Sequence, residues 1–297
     1  MNLYSIPTGN FKLDGGAMFG VVPKSIWQKL NPADENNLCS WAMRCLLIEK
    51  GNKLILVDNG IGNKQDAKFL GYYYLHGDHT LAKSLAAKGF HHDDITDVFL
   101  THLHFDHCGG SIVRDGEKLV PAFKNATYWS NQQHWQWATQ PNDREKASFL
   151  KENILPIEES GQLKFFPIET TQQQHNDYDP AFTTNESALT MPSLPFDIIS
   201  AYGHTDAMML PKITYKGRII VYMADLLPSI GHIPLPYVMA YDTRPLITLT
   251  EKKAFLQEAV DKNYVLFFEH DPLHECCDLQ QTEKGIKVRN TFTLSEI

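Results

Sequence analysis

Three histidines and one aspartate fall within the short segment Thr101-His102-Leu103-His104-Phe105-Asp106-His107, directly after the apolar run Val98-Phe99-Leu100. Imidazole and carboxylate are the ligand types that suit zinc and related divalent metals. His102 and His104 alternate, which sets both rings on one side of an extended backbone, as a single ion requires. Asp106 and His107 follow where the chain must turn, so they project elsewhere and suit a second ion. A purely structural origin would demand a separate hydrogen-bonding partner for each buried polar side chain. The segment predicts a metal site, and a binuclear one.

Three later apolar runs end in the same kind of residue. Phe196-Asp197-Ile198-Ile199 leads into Ser200-Ala201-Tyr202-Gly203-His204-Thr205, Arg218-Ile219-Ile220-Val221-Tyr222-Met223 into Ala224-Asp225, and Tyr264-Val265-Leu266-Phe267-Phe268 into Glu269-His270-Asp271-Pro272. Taken together and in this order, His-x-His-x-Asp-His and the three later pieces resemble the signature of the metallo-β-lactamase-fold hydrolases. The resemblance implies an α/β fold of the αββα sandwich type, with two sheets flanked by helices and the metal site in the cleft at the strand ends. It implies that His102, His104 and His204 hold one ion and Asp106, His107 and His270 the other, with Asp225 bridging. Two such ions share a hydroxide that attacks the substrate. Asp106 then also orients the nucleophile or carries a proton to the leaving oxygen. Zinc is the default metal for these donors, and manganese, iron or cobalt suit them as well.

The segment Asp14-Gly15-Gly16-Ala17-Met18-Phe19-Gly20-Val21-Val22-Pro23-Lys24 resembles one branch, that of quorum-quenching N-acyl-homoserine lactonases and methyl parathion hydrolase. So does the run from Asp225 through Pro228, His232, Pro236, Tyr241 and Asp242. Some lactonases carry a tyrosine three residues after the bridging aspartate, where it meets the lactone carbonyl. Pro228 stands there in this chain, so the oxyanion falls to His232, taken as a second catalytic residue, or to the metal alone. Phe19, Val22 and Trp27 are expected to wall an acyl chain. Lactone or related ester opening leads, followed by phosphotriester hydrolysis. The non-enzyme alternative is a metal-binding scaffold, in which some ligands would be expected to have been lost.

Composition narrows the partners. A net charge of −8 without a Lys/Arg-rich tract argues against nucleic acid. No apolar run is long enough to span a bilayer and no charged-then-apolar leader opens the chain, so no membrane or secretory role is expected. Cys39, Cys45, Cys108, Cys276 and Cys277 form no C-x-x-C pair, which fits reduced thiols in the cytoplasm. Cys108 reads as an inert packed thiol despite following His107. The expected partner is a small-molecule substrate, and a homodimer is the one assembly considered.

One domain over 1–297, built from two halves, is expected from 297 residues of alternating strand-like and helix-like segments. Leu3–Leu13, Trp41–Glu49 and Lys53–Asp58 read as strands, the last two as a hairpin around Gly51-Asn52. Asp58 reads either as a loop cap or as support for the metal cluster. Thr80–Lys88 reads as a helix capped by Thr80 and stopped by Gly89, and Asn131–Leu155 as helical with a break at Pro141. Gly109-Gly110 is expected to let the backbone pass close to the metals. Thr248–Lys262 reads as an amphipathic helix with Phe255, Leu256, Ala259 and Val260 inward, and 170–195 as a polar surface loop. His76 and His79 have no strand to deliver them, His91 and His92 read as solvated, and His134, His175 and His274 as ordinary hydrogen-bonding residues.

Overall fold

In the computed structural model, residues 1–168 and 194–297 are described; the polar loop expected from Thr170, with His175, lies outside them up to residue 193. The chain forms two compact units, Met1–Lys12 with Ser40–Phe166 and Leu13–Cys39 with Pro167–Ile297.

The first unit is built on a six-stranded sheet. Its strands are β1 (Asn2–Asp14), β2 (Leu38–Lys50), β3 (Lys53–Val57), β4 (Asp97–Phe99), β7 (Thr127–Ser130) and β8 (Leu163–Phe165), in that spatial order. The expected hairpin is present: β2 and β3 pair antiparallel, Lys50 opposite Lys53, around Gly51 at φ 61°. β3, β4, β7 and β8 then run parallel. Parallel strands are covered on both faces, which explains why Leu54, Ile55, Leu56, Val57 and Val98, Phe99 are all buried. Short β5 (Ile112–Asp115) and β6 (Lys118–Pro121) form a separate hairpin.

The helix expected near Thr80 spans Leu81–Ala87, with Thr80 Oγ1 accepting from the Lys83 amide and Gly89 at φ 84° beyond its end. The stretch after Asn131 differs from expectation. Gln132–Thr139 is helical, but the next helix begins only at Lys151 and runs through Pro156 to Glu159. The intervening Asn142 caps a turn instead, its Oδ1 accepting from the Arg144 and Glu145 amides.

The second unit carries the other six-stranded sheet: β9 (Asp197–Ala201), β10 (Met208–Tyr215), β11 (Arg218–Tyr222), β12 (Val265–Phe267), β13 (Cys276–Thr282) and β14 (Gly285–Phe292), ordered β14-β13-β12-β11-β10-β9. Only β11 and β12 are parallel, with Tyr222 opposite Phe267. The long helix begins at Pro245, where a proline's missing N–H costs nothing, and ends at Asp261. It buries Phe255, Leu256 and Ala259 as expected, but Val260 is half-exposed, while Thr248, Glu251 and Lys252 are buried. Among the described residues no helix is long and apolar enough to cross a membrane.

Candidate metal centre

Strand endings set the spacing of the candidate ligands. β4 ends at Phe99, β9 at Ala201, β11 at Tyr222 and β12 at Phe267. Each is followed, three residues on, by His102, His204, Asp225 or His270 respectively. Because β11 and β12 are parallel and Tyr222 pairs with Phe267, Asp225 and His270 leave the sheet at the same level. Non-glycine residues take positive φ beside two of these ligands, Ala207 (56°) after His204 and Ala224 (40°) before Asp225, and at Asp58 (55°) at the end of β3. Such conformations each cost on the order of 1–3 kcal/mol and gather at functional sites.

In the first unit, Asp58 organises the motif. This buried carboxylate accepts from the Thr101 amide (2.8 Å), the Thr101 hydroxyl (2.7 Å) and His107 Nδ1–H (3.1 Å). It is at once a loop cap and a support for a candidate ligand, so the two sequence readings of Asp58 describe the same contacts. The Thr101 hydroxyl gives its proton to Asp58, so its oxygen accepts from His102 Nδ1–H at 3.1 Å. His104 Nε2–H donates to Glu145 Oε1 at 3.0 Å, and Glu145 Oε2 in turn accepts from Trp137 Nε1 at 2.6 Å. These partners fix the tautomers: lone pairs remain on His102 Nε2, His104 Nδ1 and His107 Nε2.

The first two of those nitrogens face each other at 3.1 Å. Two nitrogens on one tetrahedral zinc, with bonds of about 2.0–2.1 Å, lie about 3.3 Å apart. Facing lone pairs repel unless a cation or proton lies between them. Asp106 Oδ2 stands 3.8 Å from His107 Nε2. The donor set of this unit fits divalent metal.

Asp225 does the equivalent in the second unit. Its Oδ2 lies 3.0 Å from His204 Nε2 and its Oδ1 3.1 Å from His270 Nε2, one oxygen per imidazole. His204 Nδ1–H donates to the buried Asp242 Oδ1 at 2.9 Å. Burial opposes a charged His204, but Asp225 and Asp242 outweigh it and push the imidazole up to about 10. A divalent cation would displace the proton between His204 and Asp225. Glu251 holds the turn before His204, accepting from the Tyr202 and Gly203 amides; burial raises its carboxyl to about 8. Glu145 and Glu251 escaped sequence reasoning, and Asp242 had no assigned role. Each meets its histidine or turn from 38 to 49 residues away, so no local motif announces them.

Several secondary expectations resolve as well. Gly109-Gly110 is glycine for close approach, but to another loop: a Cβ on Gly109 would lie 2.2 Å from the Ile61 carbonyl oxygen, and one on Gly110 2.3 Å from that of Asn59. Buried Cys108 donates to the Leu103 carbonyl (3.3 Å), and burial pushes its thiol up to about 12. His134 Nε2 accepts from the Leu103 amide inside the motif at 2.9 Å, and His91 is exposed.

His232 is 1% exposed and both its ring nitrogens are engaged. Nε2–H donates to the Met18 carbonyl (2.9 Å), which fixes Nδ1 as the acceptor from the Ser229 hydroxyl (2.9 Å). The ring stacks on Phe19 (4.6 Å, 4°), which stacks on Trp27 (5.5 Å, 7°). Burial lowers His232 to about 3, so it is neutral around pH 7. Its one N–H goes to Met18, so a substrate oxygen finds no donor there. Phe19 and Trp27 are likewise fully packed rather than available as a wall; Val21 and Ile26 are the exposed apolar residues of that segment.

Residues 44–270 match the sequence pattern of the metallo-beta-lactamase superfamily. The chain belongs to the metallo-β-lactamase superfamily. Solved structures agree. A probable metal-dependent hydrolase from Staphylococcus aureus superposes with TM-score 0.83 at 26% identity, covering 98% of this chain and 96% of its own. AidC, a dizinc quorum-quenching lactonase, superposes at TM-score 0.74 and 22% identity over 98% and 95% of the two chains. The hydrolase AbOPH does so at 0.71 and 20%, over 96% and 92%. No curated protein matches in sequence. The metallo-β-lactamase fold, with its two sheets and flanking helices, is therefore present, and the chain is a hydrolase of this superfamily.

Proposed function

We propose that this metallo-β-lactamase superfamily member is a dinuclear zinc hydrolase that opens lactones, N-acyl-homoserine lactones first among them. His102, His104 and His204 would hold one ion, Asp106, His107 and His270 the other, and Asp225 would serve both. The observation that carries this reading is Asp225, which offers one oxygen to His204 and the other to His270. It is supported by AidC, which is a dizinc lactonase of similar fold. When bound, two divalent ions supply a water acidified towards neutral pH and a Lewis acid for the substrate carbonyl.

The protein's own residues do the rest. Asp58, Glu145 and Asp242 hold the N–H of His107, His104 and His204, keeping each ring's lone pair on the inward nitrogen. Asp106, buried beside His107, is assigned the orientation of the attacking water and the return of its proton to the leaving alkoxide as the ring opens. His232 acts as a positioning residue: it ties the Ser229 turn to Met18, and its one N–H is spent on the Met18 carbonyl.

The test is product analysis with N-hexanoyl-homoserine lactone in ¹⁸O-water using zinc-loaded protein. The expected product is the open-chain hydroxy acid carrying one ¹⁸O in its carboxylate. Phosphotriester turnover with no lactone opened across short and long acyl chains would overturn the substrate assignment.

A further inference from the structure

The Pro245–Asp261 helix carries two consecutive charged residues, Glu251 and Lys252, that are buried within the second unit. Each reaches a different stretch of chain around His204. Glu251 accepts from the Tyr202 and Gly203 amides at 2.6 and 3.1 Å. Gly203 lies flat against the same helix: a Cβ there would stand 2.3 Å from the Thr248 amide nitrogen. The backbone that carries His204 is therefore seated directly on this helix.

Asp242, which accepts from His204 Nδ1–H at 2.9 Å, is held differently. It lies in the irregular stretch from Ile233 to Arg244, between the turn at Ile230–His232 and the start of the helix. Lys252 grips that stretch from the helix side. Its Nζ donates to the Pro234 carbonyl and to the Tyr237 carbonyl, each at 2.8 Å. The Tyr237 amide donates to the same Pro234 carbonyl at 2.9 Å, which closes the turn beside the amine.

A fully buried lysine is costly unless its N–H groups are satisfied. Burial pushes Lys252 down to about 7, against the favourable charge of Asp242. Charged or neutral, it keeps an N–H for each of the two carbonyls. An unbranched apolar side chain such as methionine would fill the space without that cost, so what the lysine adds is its pair of donors.

We propose that Lys252 is a positioning residue for His204: it holds the Asp242 segment to the helix on which the His204 turn is seated, and so sets the His204–Asp242 hydrogen bond. The inference deepens the reading of His204 as a metal ligand and rests on it for its zinc readout.

The test compares the full-length wild type with Lys252→Met by two measurements. The first is the His204 Nδ1–H signal of the metal-free protein in ¹H–¹⁵N NMR, assigned by its loss in His204→Gln. Its exchange with water is expected to quicken at least tenfold in Lys252→Met. The second is zinc titration, in which one of two sites is expected to weaken about tenfold, the scale on which partners of a ligand act. Ala259→Gly, which weakens the same helix without touching either stretch, is expected to change neither. If Lys252→Met fails to fold, Lys252→Gln, one atom shorter and uncharged, is read in its place. Wild-type exchange and zinc affinity in a folded Lys252 variant would overturn the proposal, as would equal loosening in Ala259→Gly. A wild type that binds no zinc would defeat the metal reading instead, and the metal-free His204 signal would still decide this one.

Discussion

Replacing Asp58 by asparagine separates what this carboxylate does for the fold from what it does for the metal. Asp58 is completely buried and accepts three hydrogen bonds, two from Thr101 and one from His107 Nδ1–H. Asp58→Ala would orphan three buried donors at about 1–3 kcal/mol each. Their sum rivals the whole stability of a domain, about 5–15 kcal/mol, so that variant is expected to fold poorly. Asp58→Asn keeps shape and one accepting oxygen, which the Thr101 amide retains. The new amide nitrogen can only donate, so it faces His107 as a donor and favours the ring tautomer with its proton on Nε2. That proton must leave before a metal can bind. Altering a partner that orients a ligand typically costs 10–100-fold in metal affinity, or about 1.4–2.7 kcal/mol. Zinc titrations against a chromophoric chelator should therefore show one of two sites weakened 10–100-fold, with the metal-free melting temperature falling by only a few degrees. Two unweakened sites in a folded Asp58→Asn protein would refute the reasoning.

Asp225→Ala should loosen both ions and abolish turnover while circular dichroism stays near wild type, whereas His91→Ala, at an exposed position, should leave both unchanged. Gly109→Ala drives a Cβ into the Ile61 carbonyl and should lower stability by about 1–3 kcal/mol in urea unfolding. For His232 the folded value is about 3 against 6.5 for the free group. The unfolded chain therefore takes up the proton first, and stability is intact above pH 6.5 and lost as pH falls towards 3. Between pH 7 and pH 5 the loss is about 2 kcal/mol. His232→Gln should show a flatter acid limb by that amount.

The parts of the site legible in sequence are those carried by local pattern. A candidate ligand three residues beyond a buried strand leaves both an apolar run and a polar residue where burial demands a partner; His102 stands out in its own dense motif, and the resemblance to the metallo-β-lactamase signature picks out His204, Asp225 and His270. The β2–β3 hairpin and the Thr80 cap announce themselves through Gly51 and Thr80 for similar reasons. Residues that work at long range do not. Glu145 sits in the polar run Asn142-Asp143-Arg144-Glu145-Lys146, where nothing distinguishes a buried acceptor from a solvated charge. His232 misled because sequence order suggested a donor, whereas the fold gives both its nitrogens to Met18 and Ser229. The β13–β14 hairpin escaped notice because β14 is polar and largely exposed. Its anchor, Asp278, accepts from Arg289 and Asn290 across the turn.

Metal content measured on the zinc-reconstituted chain bears most directly on the central claim. Two equivalents per chain are predicted, falling to one or fewer in His270→Ala and to near none in Asp225→Ala. A reproducible limit of one equivalent in the wild type, unaltered by removing Asp106 or His270, would contradict the dinuclear assignment.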